Sequence, residues 1–207
     1  MEVHEYMLPD KKLIETDVVP AAFLWQPDEV YVVLGRSNQP DDSVFLERLE
    51  EDGVVLLKRP SGGETVVLTP RMLVIACTWP LDTSNSSTEI FRLSNQIVMK
   101  VLDDLGVEGL NQKGISDISL GDLKIAGSAM HRARDRWFYH AVLNVGEPTG
   151  TISWYLKHPR REPDYRKGRP HNLFVTSLWE AGYPLTMEEL LLKLSEAYLQ
   201  KEFSLLT

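Results

Sequence analysis

The residues best suited to chemistry begin with Arg59-Pro60-Ser61-Gly62-Gly63, which lies between two apolar runs, 54–58 and 65–68. Paired glycines let a backbone come close to a ligand and aim N–H groups at a phosphate or carboxylate. An arginine offers a planar fork of donors to the same anion. A plain two-residue hairpin beside a solvated Arg59 uses the same residues, and the stretch alone does not choose between the two. A second stretch, residues 121–129, places Lys124 among Leu123, Ile125 and Ala126. Such a lysine is either on the solvated side of an edge strand or poorly placed for a surface charge. His131 and His140 have no third ligand at a sensible spacing, which speaks against zinc. The single cysteine, Cys77, sits in M-L-V-I-A-C-T-W and reads as a packing residue rather than a nucleophile.

These residues need a scaffold, and the pattern predicts one. Strands are expected over 22–25 and 29–34, joined by Gln26-Pro27-Asp28, and over 54–58, 65–68 and 72–78 around the glycine turn. Gly35-Arg36-Ser37-Asn38 leaves the second strand. Residues 43–52 suit a short amphipathic helix closed by Gly53. The helix over 87–105 is the clearest element. Ser86 and Glu89 have capping-box spacing, Ile90, Leu93, Ile97, Val98, Val101 and Leu102 recur at helical intervals, and Gly106 stops it. Strands over 118–120, 123–129 and 138–145 follow, with an exposed hairpin at 131–136. Residues 157–169 carry six Lys or Arg against Glu162 and Asp164, with Pro159 and Pro163 opposing a regular helix. Two closing helices are expected, over 175–181 and from Thr186. The amino-terminal residues 1–13 mix a strand-like and a loop-like piece.

Hairpin strands with inserted helices make this an α+β fold, a mixed and largely antiparallel sheet flanked by helices, rather than a doubly wound parallel sheet. No linker or repeat divides the 207 residues, so one domain over 1–207 is expected. A formal net charge of −8 argues against nucleic acid. No apolar run approaches the roughly 20 residues of a membrane span, and the amino terminus lacks a signal-peptide plan, which predicts a cytoplasmic protein without a membrane partner. One cysteine excludes an internal disulfide framework, and no Walker G-x-x-x-x-G-K-S/T motif is present.

Taken together, Val33-Leu34-Gly35-Arg36-Ser37, residues 59–63, Gly114-Ile115-Ser116-Asp117, residues 121–129, residues 138–145, residues 155–168 and Val175-Thr176-Ser177-Leu178 follow one another in an order that resembles the lipoate–protein ligase family. That family is part of the lipoate and biotin ligase and octanoyltransferase superfamily. The resemblance implies the fold of the class II synthetase-like ligases and an ATP-dependent reaction. Lipoate or octanoate would be activated to an acyl-AMP and passed to a lysine of a lipoyl domain or a glycine-cleavage H-like protein. It implies Lys124 as the catalytic residue, a partly desolvated ammonium where charge develops on acyl and phosphate oxygens. Arg59, Ser61, Gly62 and Gly63 would cradle the intermediate, Gly127, Ser128 and Ala129 would shape the wall, and His140 would line the pocket. Asp117 would hold Mg2+ against the phosphates. The basic residues 157–169 would steer an acidic carrier.

The chain departs from the family pattern at three places. Glu64 replaces a third glycine, Leu68-Thr69-Pro70 stands where a His-Asp pair is expected, and Ser116 replaces an asparagine. The carboxyl-terminal accessory domain of full-length ligases is also missing, which implies a separate accessory subunit. The alternatives are an octanoyl or lipoyl transferase, which would have to use Cys77, a biotin ligase, and a non-catalytic protein that binds a lipoyl group or a carrier.

Overall fold

The computed structural model describes residues 1–199 except 16, 18, 20, 82–85 and 134. In chain order its elements are β1 (His4–Glu5), α1 (Lys12–Glu15), β2 (Ala21–Trp25), β3 (Tyr31–Leu34), α2 (Pro40–Ser43), α3 (Leu46–Glu51), β4 (Val55–Lys58), β5 (Val66–Leu68), β6 (Met72–Pro80), α4 (Ser87–Asp104), β7 (Leu110–Lys113), β8 (Asp117–Leu120), β9 (Leu123–Ala133), β10 (Arg136–Asn144), α5 (Thr149–Tyr155), α6 (His171–Phe174) and α7 (Met187–Leu199). Six strands form an antiparallel sheet in the order β2-β6-β10-β9-β8-β7. Four more form a mixed sheet, β1-β4-β3-β5, in which β4 runs parallel to both β1 and β3. This is the α+β architecture the pattern predicts.

Strand residues alternate between faces, and that alternation decides where the site can be. Leu73, Ile75, Cys77 and Trp79 of β6, with Tyr139, Ala141 and Leu143 of β10, pack in one core with Ile90, Val98 and Leu102 of α4 and Leu190 and Leu194 of α7. The opposite parity, Val74 and Ala76 paired with Val142 and His140, turns away from those helices. There Val74 joins Val33, Leu57 and Leu68 of the smaller sheet, with Tyr6, Leu8 and Trp25. Each fully buried aliphatic side chain contributes about 1.5–3 kcal/mol, several times a typical difference in helix propensity. The buried stripe therefore holds α4 in place, and Ser86 Oγ, accepting from Glu89 N at 3.2 Å, fixes where it begins.

Several elements differ from expectation. The helix expected over 43–52 is confined to α3, because Val44 bridges to Leu156 and takes extended backbone, and the single-turn α2 precedes it. Residues 175–181 are not a helix. Val175 pairs with Lys124, Leu178 N donates to Asn144 O at 3.0 Å and Trp179 N to Val145 O at 3.0 Å, so the segment is drawn past the start of β9 and the end of β10 instead. Helix α5 was not anticipated. The opening segment keeps its strand-like piece as β1, and its loop-like piece holds a 3-10 turn, Pro9–Lys11, followed by the single-turn α1.

Candidate active site

The glycine turn is built by close backbone approach. Arg36 N donates to Ser61 O at 3.0 Å and Arg59 N to Leu34 O at 3.0 Å, docking the turn on the exit of β3. Gly35 permits this, since a Cβ there would lie 1.9 Å from the carbonyl oxygen of Gly63. Gly63 itself has φ +87°, the left-handed region that only glycine takes without strain.

Arg59 is almost wholly buried, and its fork faces the turn. Nη1 donates to Val33 O at 3.1 Å, Nη2 to the carbonyls of Gly62 and Glu64 at 2.8 Å each, and Nε to Ser61 Oγ at 2.9 Å. Burial pulls its pKa down to about 10, which leaves it a cation at neutral pH. A guanidinium has five donors, so four are committed to holding the turn's shape. Ser61 is fully enclosed behind the turn and does not line the cavity. The wall therefore belongs to Gly62 and Gly63, whose N–H groups have no acceptor among the described residues. Glu64 lines the same space, with Oε2 accepting from Asn38 Nδ2 at 3.3 Å.

That space is a cavity of about 1250 Å³ between the two sheets. Its inner lining is apolar and includes Val33, Val66, Leu68, Met72, Val74 and Val142. Its polar end holds Lys124. The β8–β9 pairing shifts register between Ile118 and Ser119, where β9 carries one extra residue, a bulge that re-aims the lysine. The side chain folds over Gly127, where a Cβ would meet Nζ at 2.5 Å and Cε at 2.6 Å, and Nζ reaches Asp117 Oδ1 at 2.8 Å. Gly127 thus serves as a groove for the lysine as well as part of the wall. Ala129 lies opposite His140 in the sheet, and Ser128 Oγ donates to Ser116 O at 2.8 Å, tying down the loop before Asp117.

Asp117 is nearly buried. Its other oxygen, Oδ2, accepts from the Tyr165 hydroxyl at 2.8 Å. No cluster of three or more His, Cys, Asp or Glu converges here or elsewhere among the described residues. Magnesium commonly takes one or two carboxylates and fills its octahedron with water and substrate phosphates. The donor set therefore fits an ion that arrives with a polyphosphate, not a resident one.

The structure thus brings Lys124, Asp117, Gly62, Gly63, Gly127, Ser128, Ala129 and His140 to one cavity, with Arg59 at its edge. Two contributors escaped the sequence. Asp10 is fully buried, with Oδ2 3.3 Å from His140 Nδ1, and nothing in Leu8-Pro9-Asp10-Lys11 marks it as internal. Tyr165 comes from the basic stretch. It is the one Phe, Tyr or Trp of that stretch, between Asp164 and Arg166, and that isolation is the signal the sequence offers. Cys77 lies on the helix-covered face, and burial pushes its thiol up to about 12. It has no route to the cavity, so the cysteine-dependent transferase loses its nucleophile.

Comparison with known proteins agrees with this geometry. The lipoate-protein ligase A of Psychrobacter cryohalolentis is 32% identical over 138 residues, 66% of this chain and 39% of that protein's length, so the chain spans well under half of this curated relative. Among solved structures, the bipartite lipoate protein ligase of Thermoplasma acidophilum, described with its E2 lipoyl domain, superposes with a TM-score of 0.75 at 19% identity, covering 100% of this chain and 91% of that one. A lipoate-protein ligase A bound with ATP gives 0.76 at 19%, covering 100% and 93%. The family described as lipoyl protein ligase A/B catalytic domain matches residues 1–199. With nearly the whole chain matched, the protein belongs to the lipoyl protein ligase A/B catalytic-domain family.

Proposed function

We propose that residues 1–207 form one catalytic domain of a lipoate–protein ligase, which activates lipoate with ATP and passes the acyl group to a lysine of a carrier domain. One observation carries this reading. The N–H groups of Gly62 and Gly63, without an acceptor among the described residues, and the ammonium of Lys124 line one cavity together with an apolar wall. An acid with a hydrocarbon tail and a phosphate beside it fills such a space. The relatives described with ATP and with an E2 lipoyl domain support the nucleotide and the carrier.

In the first step a carboxylate oxygen of lipoate attacks the α-phosphorus of ATP and pyrophosphate leaves. A free carboxylate is a poor electrophile, and esterification to AMP supplies a leaving group. The two glycine N–H groups bind the oxygens of the acyl phosphate, and Lys124 lies where negative charge grows on both acyl and phosphate oxygens, with water partly excluded. Asp117 holds the ammonium until ligand arrives, and it would be the carboxylate for a magnesium ion that neutralises phosphate charge. In the second step the amine of a carrier lysine attacks the acyl carbon, losing a proton as AMP departs. Exposed Arg161, with no ion-pair partner among the described residues, presents positive charge at the cavity mouth to an acidic carrier, and exposed Lys167 adds charge to the same basic stretch. A separate accessory subunit belongs to this reading.

The test is acid-dependent ATP–pyrophosphate exchange with lipoate, octanoate and biotin, for the wild type and Lys124→Ala, with and without an accessory subunit. Exchange with lipoate that vanishes in the variant is expected. No exchange in any combination removes the ligase reading and leaves a protein that binds a lipoyl group or carrier without catalysis.

A further inference from the structure

Behind the glycine turn, five side chains form a line of hydrogen bonds that reaches from the amino-terminal segment to Arg59. The Tyr6 hydroxyl donates to Asp10 Oδ1 at 2.7 Å. Asp10 Oδ2 faces His140 Nδ1 at 3.3 Å, His140 Nε2 meets Ser61 Oγ at 2.7 Å, and Ser61 Oγ accepts from Arg59 Nε at 2.9 Å. Serine, histidine and carboxylate in this order are the parts of an activated nucleophile. Here, however, Ser61 is fully enclosed and one of its lone pairs already holds Arg59, so no acyl carbon can approach it.

The line instead has a direction, fixed from both ends. The Asp10 carboxylate, which also receives the Tyr6 hydroxyl, can only accept, so Nδ1 of the neutral ring carries the proton toward it and Nε2 is bare. Ser61 Oγ then donates to Nε2 and accepts from Arg59, which can only donate. Burial favours the neutral ring of His140 against the opposing pull of Asp10, and in a neutral ring the tautomer matters.

We infer that Asp10 is a positioning residue for the ligand-binding turn. By fixing the Nδ1–H tautomer of His140 it directs the Ser61 hydroxyl away from Arg59, and so keeps the guanidinium on the carbonyls of Gly62 and Glu64 and the glycine N–H groups toward the cavity. Only the substrate arm of the test rests on the proposed function.

The test is Asp10→Asn, which preserves shape. Tyr6 continues to hold Oδ1, so the new amide nitrogen faces His140 Nδ1. Two donors cannot face each other, and His140 must move its proton to Nε2. Adding Tyr6→Phe frees the amide to rotate and present its oxygen again. Three readouts apply: the His140 tautomer from two-bond 1H–15N correlations, solvent exchange of the Arg59 Nε–H, and the KM and kcat for lipoate in pyrophosphate exchange.

In the wild type we expect Nδ1–H. In Asp10→Asn we expect Nε2–H, at least tenfold faster exchange at Arg59, and a KM for lipoate raised about tenfold with kcat within twofold. The double variant should restore all three. An Nε2–H tautomer in the wild type overturns the inference without any variant. So does Asp10→Asn with an unchanged tautomer, an inverted tautomer with unchanged Arg59 exchange, or a double variant that stays inverted. Absence of pyrophosphate exchange in the wild type would refute the proposed function, while the tautomer and the Arg59 proton still decide this inference.

Discussion

Lys124 Nζ sits 2.8 Å from Asp117 Oδ1 only because Gly127, between them in space, has no side chain. The bulge that displaces the lysine from the regular pleat and the glycine that clears its path are separate features of β8 and β9. Together they put a cation on the cavity face at a point where the next strand offers one carboxylate.

Gly127→Ala should therefore separate chemistry from folding. The new Cβ would lie 2.5 Å from Nζ and 2.6 Å from Cε, at the flexible end of a long side chain, so the lysine moves and the strands stay. Pyrophosphate exchange is expected to fall by about 100-fold, the scale of losing one electrostatic stabiliser. The unfolding free energy should change by less than about 1 kcal/mol. A variant with wild-type exchange would show that the lysine does not need this groove.

Gly35→Ala should have the opposite profile. Its Cβ would meet the backbone of Gly63, at 1.9 Å from the carbonyl oxygen and 3.0 Å from the carbonyl carbon, and backbone cannot swing aside. A loss of about 2–3 kcal/mol is expected from urea titration, in the range of overpacked cores.

Acid should loosen the basic arm through His171. Its Nε2 donates to Lys157 O at 3.1 Å, and burial, reinforced by Arg166, His158 and Lys124, lowers its pKa to about 4. Below the ordinary value of 6.5 the unfolded chain takes up a proton that the folded one refuses, so stability is full above pH 6.5 and lost as pH falls toward 4. His140 and His131, also lowered, act in the same direction. Between pH 6.5 and 4.5 a loss on the order of 2 kcal/mol is expected from His171, allowing for its partial exposure. His171→Asn should flatten that part of the curve in pH-dependent denaturation. A variant with an unchanged slope would remove His171 from this account.

Charge reversal on the arm should slow the carrier. With Arg161→Glu and Lys167→Glu together, kcat/KM for an acidic carrier domain is expected to fall about tenfold at low ionic strength. It should converge on the wild type at 0.5 M salt, where the Debye length is down to about 4 Å. A defect that persists at high salt would indicate direct contacts instead of steering.

Elements with strong local signals were legible in the sequence. The capped stripe of α4, the β9–β10 hairpin and the glycine turn each follow from spacing within about 20 residues, and the ordered motifs pointed to the cavity that Lys124, Asp117 and Gly62 share. What could not be read depends on distant partners. Residues 175–181 have a helical look, yet bonds to Lys124, Asn144 and Val145 draw them out. The role of Ser61 changed for the same reason: whether a serine beside paired glycines faces the ligand or the interior is decided by His140, 79 residues away. Asp10 has a local partner in Tyr6, but what makes it part of the site is His140, 130 residues downstream.

That last separation bears on how the molecule is made. A ribosome releases Asp10 early, but His140 emerges only with β10, the last strand of either sheet, and β1 must wait for Leu57 and Lys58 before it has a neighbour. Contacts so far apart in sequence close slowly, since loop entropy opposes them before they form. The opening segment is therefore among the last pieces to settle, and the floor of the cavity matures at the end of folding, after the helix-covered core is in place.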